Sequence, residues 1–195
     1  MQVFSKKDFE PGDAKTTFAD SFFVYPTDTV YGLGCDATDE VMVKELRNIK
    51  RRHSNPFSVI VPSKKWIYDN CIVDQQAEEW LKRLPGPYTI ILKLKNPNAI
   101  ARSVNPASET IGVRFPDHWI TELVAEFGKP IITTLVNPDG ELLVSAQEDI
   151  VPEIRTRVSF MIDEGPRRGM PSTIVDLTID LFTRERLDNP QQLQV

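Results

Sequence analysis

Short runs of β-branched and aromatic residues recur along the chain, and prolines, glycines or polar residues bound most of them. Runs of this length and composition are typical of strands in a sheet. The prolines and glycines at 85–87 and 138–140 mark turns between them. We predict strands over the segments 21–26, 56–62, 87–94, 110–116, 129–136, 157–163 and 172–178.

Segments with the spacing of an amphipathic helix lie between several of these runs. In 39–52, Met42, Leu46 and Ile49 recur at intervals of three and four residues, so they share one face of a helix. Helices and strands alternate irregularly, which favours an α/β fold with a twisted mixed sheet flanked by helices over a strictly repeating βαβ unit. We predict helices over 39–52, 75–84, 118–127 and 145–155.

The composition is that of an ordinary globular protein, since 41% of the 195 residues are hydrophobic and 26% are charged. No proline-, glycine- or serine-rich stretch is long enough to act as a linker, so we expect one domain over residues 1–195. A formal net charge of -5 argues against a large nucleic-acid footprint, which needs many cations on one face. Any basic site must be local.

Cysteine and histidine are rare. Two cysteines, Cys35 and Cys71, suit a reducing compartment better than a disulfide scaffold. The histidines His53 and His118 lack the spacing of metal ligands, so we expect no metal ion held by protein side chains. The first residues lack the apolar stretch of a secretory signal, and no apolar run is long enough to span a bilayer. We therefore expect a cytoplasmic protein without membrane contact.

Polar side chains cluster where the first predicted strand ends, in PTDTVYGLGCDA at 26–37. Hydroxyl groups such as those of Thr27 and Thr29 can bind a small polar ligand at a strand end. GLGCDA also matches a loose dinucleotide fingerprint, but its glycines lie beyond the strand and no acidic residue clearly follows at the expected distance. A glycine-containing turn with threonine caps is the simpler alternative.

Four basic residues, KRRH at 50–53, end the first predicted helix. Cations near a helix carboxyl end are favourable with the helix dipole, and this alone can explain them. Lys50 and Arg52 could instead hold phosphate oxygens through charge-assisted hydrogen bonds. Because the chain has no P-loop, a nucleotide would have to be bound by side chains of this kind.

Two later segments also combine polar groups with an apolar strand. TTLVNPDG at 133–140 presents Thr133 and Asn137 to a ligand, or else is a strand and turn leading to a helix cap at Ser145. GPRRGMPSTIVD at 165–176 combines arginines, glycines and hydroxyls, which suits an anion, although a solvated basic loop has the same composition.

Taken together and in this order, these segments resemble the YrdC-like family of threonylcarbamoyl-adenylate synthases over nearly the whole chain. The joint match is far more specific than any one motif. The motifs that carry it are PTDTVYGLGCDA at 26–37, K-x-R at 50–52, P-G-P-Y-T at 85–89, G-V-R-x-P at 112–116 and G-x-x-S-T-x-x-D at 169–176.

The resemblance implies a YrdC-like fold, in which a twisted α/β sheet carries a concave positive cleft. It implies a short-form enzyme that uses ATP, L-threonine and bicarbonate, with Mg2+, to make threonylcarbamoyl-AMP and pyrophosphate. The product would pass to a threonylcarbamoyl-transferase complex and through it to tRNA. A weak direct contact with RNA is also compatible with the resemblance.

By matching position, the resemblance also implies roles for individual residues. Lys50 and Arg52 would be the catalytic cations that bind and neutralise phosphates, and Arg114 would bind the threonine carboxylate. The implied ATP-binding residues are Lys50, Arg52, Thr133, Asn137, Ser145 and Arg184. The implied threonine-binding residues are Thr27, Arg114 and Ser172.

The chain departs from the family pattern at three positions. Leu135 stands where an S-x-N element has serine, His53 where K-x-R-P has proline, and Arg186 where glycine follows the last arginine. One alternative is therefore a YrdC-like paralogue that kept the fold and changed its acceptor. A second is an RNA-binding or ribosome-associated factor, supported by a local group of cations. These cations are Lys50, Arg51, Arg52, Arg167 and Arg168.

Overall fold

The computed structural model describes residues 1–8, 12–138 and 140–179, and one mixed sheet runs through them. Within these ranges the sheet has nine strands. They are β1 (Gln2–Phe4), β2 (Phe23–Tyr25), β3 (Gly32–Gly34), β4 (Ser58–Ile60), β5 (Tyr88–Lys93), β6 (Thr110–Arg114), β7 (Ile131–Leu135), β8 (Phe160–Ile162) and β9 (Thr173–Asp176). Their order across the sheet is β1-β8-β2-β3-β7-β4-β6-β5-β9.

Parallel and antiparallel pairs are mixed in this sheet, as predicted. β8 is parallel to both of its neighbours, β1 and β2, and the pairs β4/β6 and β5/β9 are also parallel. β7 is antiparallel to β3 on one side and to β4 on the other. β7 therefore joins the part of the sheet formed by β1, β8, β2 and β3 to the part formed by β4, β6, β5 and β9.

All seven predicted strands are present, each shorter than the apolar run that predicts it. β1 and β3 are absent from the prediction. β3 reads Gly-Leu-Gly, which is a turn-like composition, but its glycines have a steric role. A Cβ atom on Gly34 would lie 2.2 Å from the Ile132 carbonyl oxygen and 3.0 Å from the Tyr25 ring. Glycine is therefore required where β3 packs between its neighbours.

Helices cover both faces of the sheet, and polar residues begin several of them. Asp39 accepts hydrogen bonds from the first turn of one helix, and Ser63 does the same for the next. The helices in the described ranges are α1 (Ala14–Thr17), α2 (Glu40–Lys50), α3 (Lys64–Asn70), α4 (Gln75–Leu81), α5 (Ile120–Phe127) and α6 (Pro152–Arg157). None of the helices in this part of the chain is long and apolar enough to cross a membrane.

Three of the predicted helices correspond to α2, α4 and α5, but the helix predicted over 145–155 is wrong in extent. The Asp149 carboxylate accepts from the N–H groups of Ser145 and Ala146, and the chain makes a short 3-10 turn there. Pro152, which is favoured in the first turn of a helix, then starts α6. The Asp149 side chain therefore replaces the first half of the predicted helix with a turn.

The sheet separates two hydrophobic clusters, one on each face. Val24 and Val59 belong to the cluster that packs against α2 and α4. Their neighbours Phe23 and Ile60 belong to the other cluster, which packs against α1 and α5. This alternation is expected because successive residues of a strand point to opposite faces.

On the α5 face, a polar row continues the sheet beyond the apolar cluster. Thr133, Ser58 and Gly112 lie side by side on β7, β4 and β6. They have the same strand parity as Ile131 and Ile60, which belong to the cluster against α1 and α5. The apolar packing of this face therefore gives way to small and polar side chains.

Candidate active site

A cavity of about 200 Å³ opens over this polar row. Ser58 lines it, and Gly112 leaves room for this side chain: a Cβ atom on Gly112 would lie 2.5 Å from Ser58 Oγ. Arg52 and Arg114 bring positive charge to the walls. Hydroxyl groups supply most of the remaining polar lining, and they come from Thr29, Tyr31, Ser58, Thr89, Thr133, Thr134 and Ser172.

Arg114, the last residue of β6, has a side chain that is only 7% exposed. Its Nη2 donates to Asp28 Oδ1 at 2.7 Å and to Thr29 Oγ1 at 3.2 Å. Burial lowers the pKa of Arg114 while the Asp28 carboxylate opposes that shift, and the guanidinium stays charged. Its Nε is buried without a hydrogen-bond partner among the described residues. Because Arg114 also lines the cavity, it can offer a charged donor to a ligand carboxylate there.

The loop after β2 orders its hydroxyl groups by internal hydrogen bonds. Thr27 Oγ1 donates to the Val30 carbonyl at 2.7 Å and accepts from the Thr29 N–H at 3.1 Å. Thr27 is fully buried, whereas Thr29 reaches the cavity wall. The predicted residue Thr27 therefore lies beneath the wall, and Thr29 forms it.

Ser172 reaches the cavity because β9 pairs with β5 at the edge of the sheet. Its Oγ lies 2.7 Å from Thr89 Oγ1, and both side chains line the cavity. The hydroxyl pair connects the loop before β9 to the floor formed by β5. The structure therefore brings Ser172 and Arg114 to one cavity, although 57 residues separate them in sequence.

Lys50, at the end of α2, is only 1% exposed. Its ammonium group donates to the main-chain carbonyls of Leu135, Val136 and Asn137, which follow one another at the end of β7. Three carbonyls match the three protons of an ammonium group. In this structure Lys50 therefore supports the chain that leaves β7 and does not line the cavity.

Arg52 lines the cavity itself. Its Nη1 donates to Thr134 Oγ1 at 3.2 Å, and its Nη2 donates to the Pro56 carbonyl at 2.8 Å. The guanidinium carbon lies 5.3 Å from the centre of the Phe57 ring, a distance typical of a cation–π contact. These contacts hold the planar group in a defined position, as bidentate recognition of a phosphate requires.

Asn137 and Ser145 lie in the chain that follows β7. Asn137 Nδ2 donates to the carbonyls of Leu142 and Asp149, and its Oδ1 accepts from the Val151 N–H. Ser145 donates its N–H to the Asp149 carboxylate at 2.8 Å. Both residues therefore stabilise this segment through the contacts that are described.

Four of the predicted binding residues line the cavity, and they are Arg52, Arg114, Thr133 and Ser172. Four others lie beside or beneath it, and they are Thr27, Lys50, Asn137 and Ser145. Arg184 lies outside the described residues. The binding role of each remains a prediction.

The prediction omits several residues that build the site, among them Asp28, Ser58 and Thr89. Asp28 lies inside the PTDTVYGLGCDA motif, between two threonines. Its place in the motif is therefore the sequence signal that it belongs to the site. Ser58 and Thr89 are the polar positions within the apolar runs PFSVIV and PYTIIL. A polar residue inside a buried strand is a signal of this kind, because it must face a polar partner or a cavity.

A second polar cluster contacts the Thr27 loop without lining the cavity. The Glu164 carboxylate accepts from Trp119 Nε1 and from Arg167 Nη2, and lies 3.0 Å from His118 Nε2. Burial raises the pKa of Glu164, but these hydrogen bonds outweigh it and lower the pKa to about 2. His118 Nδ1 accepts from the Ile120 N–H at 3.2 Å, and its Nε2 also lies 3.0 Å from Arg167 Nη2. Glu164 is therefore an ionised acceptor for Trp119 and Arg167, and the His118 ring lies against it and Arg167.

The described residues contain no group of three or more His, Cys, Asp or Glu side chains placed to hold a metal ion. Four of the five cations that suggest an RNA contact have partners within the chain. Lys50 is buried, Arg51 pairs with Glu153 at 2.7 Å, and Arg167 pairs with Glu164. These three side chains therefore do not form one exposed basic patch.

The Sua5/YciO/YrdC family model, described as "Telomere recombination", matches residues 18–185. A Methanocaldococcus jannaschii protein is 35% identical over 159 residues, which are 79% of this chain and 73% of the relative. A Vibrio vulnificus threonylcarbamoyl-AMP synthase is 28% identical over 171 residues, which are 83% of this chain and 89% of the relative.

A solved structure, P. abyssi Sua5 complexed with L-threonine, is similar with a TM-score of 0.80 and 27% sequence identity. The similarity covers 91% of this chain and 54% of that one. This chain therefore spans about half the length of the Sua5 chain.

Proposed function

Because this chain belongs to the Sua5/YciO/YrdC family, we propose that it is a threonylcarbamoyl-AMP synthase. It makes threonylcarbamoyl-AMP and pyrophosphate from L-threonine, bicarbonate and ATP, and the product serves threonylcarbamoyladenosine modification of tRNA. One observation carries the proposal: the charged side chain of Arg114 lines a hydroxyl-rich cavity. An amino-acid carboxylate is the ligand that this geometry suits.

We assign threonine to the amino-acid half of the cavity, which is formed by Thr29, Arg114 and Ser172. The carboxylate binds Arg114, and the hydroxyl groups of Thr29 and Ser172 hydrogen-bond the polar groups of the substrate. The Thr27 hydroxyl oxygen lies 2.9 Å from Thr29 Oγ1 and accepts from the Thr29 N–H at 3.1 Å, so Thr27 orients Thr29 from beneath. The two threonines of the motif therefore act together.

We assign ATP to the nucleotide half, which is formed by Arg52, Thr133, Thr134 and Leu135. Arg52 neutralises phosphate charge, and Lys50 holds the end of β7 from which this wall is built. Asn137, Ser145 and Arg184 complete the proposed ATP-binding set. The cavity wall supplies arginines and hydroxyls where a metal would need carboxylates, so Mg2+ would be held by the phosphate oxygens of ATP and would neutralise their charge.

The reaction depends more on the positioning of its substrates than on proton transfer by protein side chains. The threonine amine attacks bicarbonate or carbon dioxide to form a carbamate, with loss of water in the first case. A carbamate oxygen then attacks the α-phosphorus of ATP, and the bond to the departing pyrophosphate breaks. Preorganised cations that stabilise charge in such a step commonly contribute about 100-fold to 1000-fold in rate. Arg52 is the cation on the cavity wall that meets this requirement.

Pyrophosphate release from ATP tests the proposal. It should require threonine and bicarbonate together, and omission of either should reduce release to the background of ATP alone. The product, threonylcarbamoyl-AMP, should be identified by mass spectrometry in the same reaction. Purified protein that released no pyrophosphate, or released it without threonine, would contradict the proposed activity.

Leu135 favours a second candidate, a paralogue that adenylates a different carbamoylated acceptor. Its side chain lines the cavity and is 37% exposed, where the family pattern has a serine hydroxyl. The same assay with other amino acids in place of threonine separates the two candidates. Release that is higher with another amino acid than with threonine would favour the paralogue.

We propose that the product passes to a threonylcarbamoyl-transferase complex that modifies tRNA. Threonylcarbamoyl-AMP is a mixed anhydride, so its carbonyl carbon is activated towards attack by an amine. A transferase that supplies the amine of a tRNA base would consume it.

A further inference from the structure

Arg167 lies outside the cavity, yet it contacts two of the segments that surround it. Its Nη1 donates to the main-chain carbonyl of Thr27 at 2.6 Å. Its own N–H donates to the carbonyl of Ser145 at 2.9 Å. Its Nη2 donates to the Glu164 carboxylate, so an ionised partner holds the other terminal nitrogen of the guanidinium. One residue therefore connects the loop after β2 to the segment after β7.

The chain after Arg167 crosses the loop after β2 at very short range. A Cβ atom on Gly169 would lie 2.1 Å from the Thr29 carbonyl oxygen. Glycine is therefore required at the crossing, and Ser172 follows three residues later. The position of Thr29 relative to Ser172 depends on how these two segments are held together.

Tyr31 adds a second connection between the same segments. Its hydroxyl donates towards Asp163 Oδ1 at 3.0 Å and the Gly165 carbonyl at 2.8 Å, and accepts from the Glu164 N–H at 2.9 Å. This connection holds the start of the 164–172 segment. Arg167 holds its middle, directly at the carbonyl of Thr27.

We propose that Arg167, held by Glu164, is a positioning residue that fixes the Thr27 carbonyl and thereby the relation between Thr29 and Ser172. The inference rests on the proposed function, since it assigns these two hydroxyls to the threonine substrate. Arg167 does not touch the substrate. It acts through the loop after β2, so its loss weakens the amino-acid half and leaves the nucleotide half nearly intact.

Two substitutions at the same position test this inference. Arg167→Met removes the donors but keeps much of the side-chain volume, and Arg167→Lys keeps one charge and a donor that can reach only one partner at a time. Arg168→Met is the matched control, because Arg168 is the neighbouring arginine and is exposed. The threonine Kd is measured by calorimetry, and the KM values of threonine and ATP are measured by pyrophosphate release.

We expect Arg167→Met to raise the threonine Kd and KM by about 10-fold to 100-fold, because a buried carbonyl loses a charged donor. The KM of ATP should change by less than about threefold, since the described side-chain hydrogen bonds of Arg167 go to Thr27, His118 and Glu164 and not to the nucleotide half. Arg167→Lys should fall between wild type and Arg167→Met, and Arg168→Met should match wild type. Equal losses for threonine and ATP would mean a general structural role and would overturn the inference.

Amide hydrogen exchange of residues 27–31 without substrate separates this inference from the proposed function. Exchange in this loop should accelerate in Arg167→Met and stay at the wild-type rate in Arg168→Met. Wild-type protein that binds no threonine would defeat the proposed function, and the exchange rates would then decide the positioning role alone. Unchanged exchange in Arg167→Met would overturn it.

Discussion

The two halves of the cavity hold their arginines in different ways. In the amino-acid half, Arg114 pairs with Asp28, and the second oxygen of that carboxylate accepts from the Asp117 N–H at 3.1 Å. In the nucleotide half, Arg52 donates to main-chain carbonyls, including that of Pro56. One cation is fixed by a buried opposite charge, and the described contacts of the other include neutral main-chain dipoles.

This difference indicates which half of the cavity tolerates amino-acid substitution. Removing one member of a buried ion pair leaves a charge without a partner, which is strongly destabilising. Removing a side chain from an accessible carbonyl leaves a neutral group that water can satisfy. The nucleotide half should therefore tolerate substitution better, and it is the half in which Leu135 departs from the family pattern.

The largest effect should follow from Arg114→Met. Threonine-dependent pyrophosphate release should fall about 100-fold to 1000-fold, because the carboxylate loses its charged donor. The free energy of unfolding should fall by about 3–5 kcal/mol, because Asp28 stays buried without its partner. Kinetics and chemical denaturation measure the two effects.

The double variant Asp28→Asn/Arg114→Met separates stability from activity in this experiment. It should recover much of the lost stability, since no charge is left unpaired, while activity stays low. Full activity in either protein would show that Arg114 does not bind the substrate.

Arg52→Ala should have an intermediate effect that is confined to ATP. The kcat of pyrophosphate release should fall by about 100-fold, because a preorganised cation is lost from the chemical step. The KM of ATP should rise by about tenfold or more, because a charge-assisted contact to phosphate is lost. The threonine Kd should stay within about twofold of wild type, and the free energy of unfolding should change by about 1 kcal/mol or less. Steady-state kinetics and calorimetry measure these values.

Arg51→Asn is the matched control for Arg52→Ala. Arg51 has a φ of 51° at the end of α2, and asparagine tolerates this left-handed conformation better than alanine. It removes a neighbouring charge whose side chain is 68% exposed. An equal rise in the KM of ATP in this control would point to general electrostatics in place of a specific contact.

The smallest effect is on the stability of the folded protein at acid pH, and it comes from Glu164. The pKa of Glu164 is about 2 in the folded protein and 4.5 ordinarily, so the unfolded chain binds this proton more readily. Its contribution to stability is present above pH 4.5 and is lost as the pH falls towards 2. The Tm advantage of wild type over Glu164→Gln should therefore shrink across this range in thermal melts.

Glu153→Gln serves as the control for the acid melts, because Glu153 belongs to an exposed pair with Arg51 that contributes little. Its Tm should stay close to that of wild type throughout. A Tm difference between wild type and Glu164→Gln that did not vary with pH would contradict the assigned cause.

Much of the fold could be predicted, because long apolar runs such as 87–94 produce strands whatever their neighbours are. β3 could not, since its Gly-Leu-Gly sequence forms a strand through its pairing with β2 and β7, where a side chain on Gly34 would meet the Tyr25 ring and the Ile132 carbonyl. The turn at Asp149 also depends on one side chain that accepts two local N–H groups. Single contacts of this kind determine the local structure even where the hydrophobic pattern of the sequence predicts a different one.

The site could be predicted only as far as its motifs extend. Arg114 and Ser172 lie in such motifs and reach the cavity. Lys50 also lies in one, yet its ammonium group lies against carbonyls 85 to 87 residues away in sequence. The pairing of Thr89 with Ser172 is equally remote, so it depends on the order of strands and not on local spacing.

β7 contributes Thr133 and Leu135 to the cavity and is hydrogen-bonded to a strand on each side. A strand bonded along both edges cannot bend independently of its sheet. The position of this wall is therefore set by the hydrogen-bonded sheet. A change in acceptor size can be accommodated by the loops at 26–31 and 165–172, whereas the β7 wall can change only through single side chains such as that of Leu135.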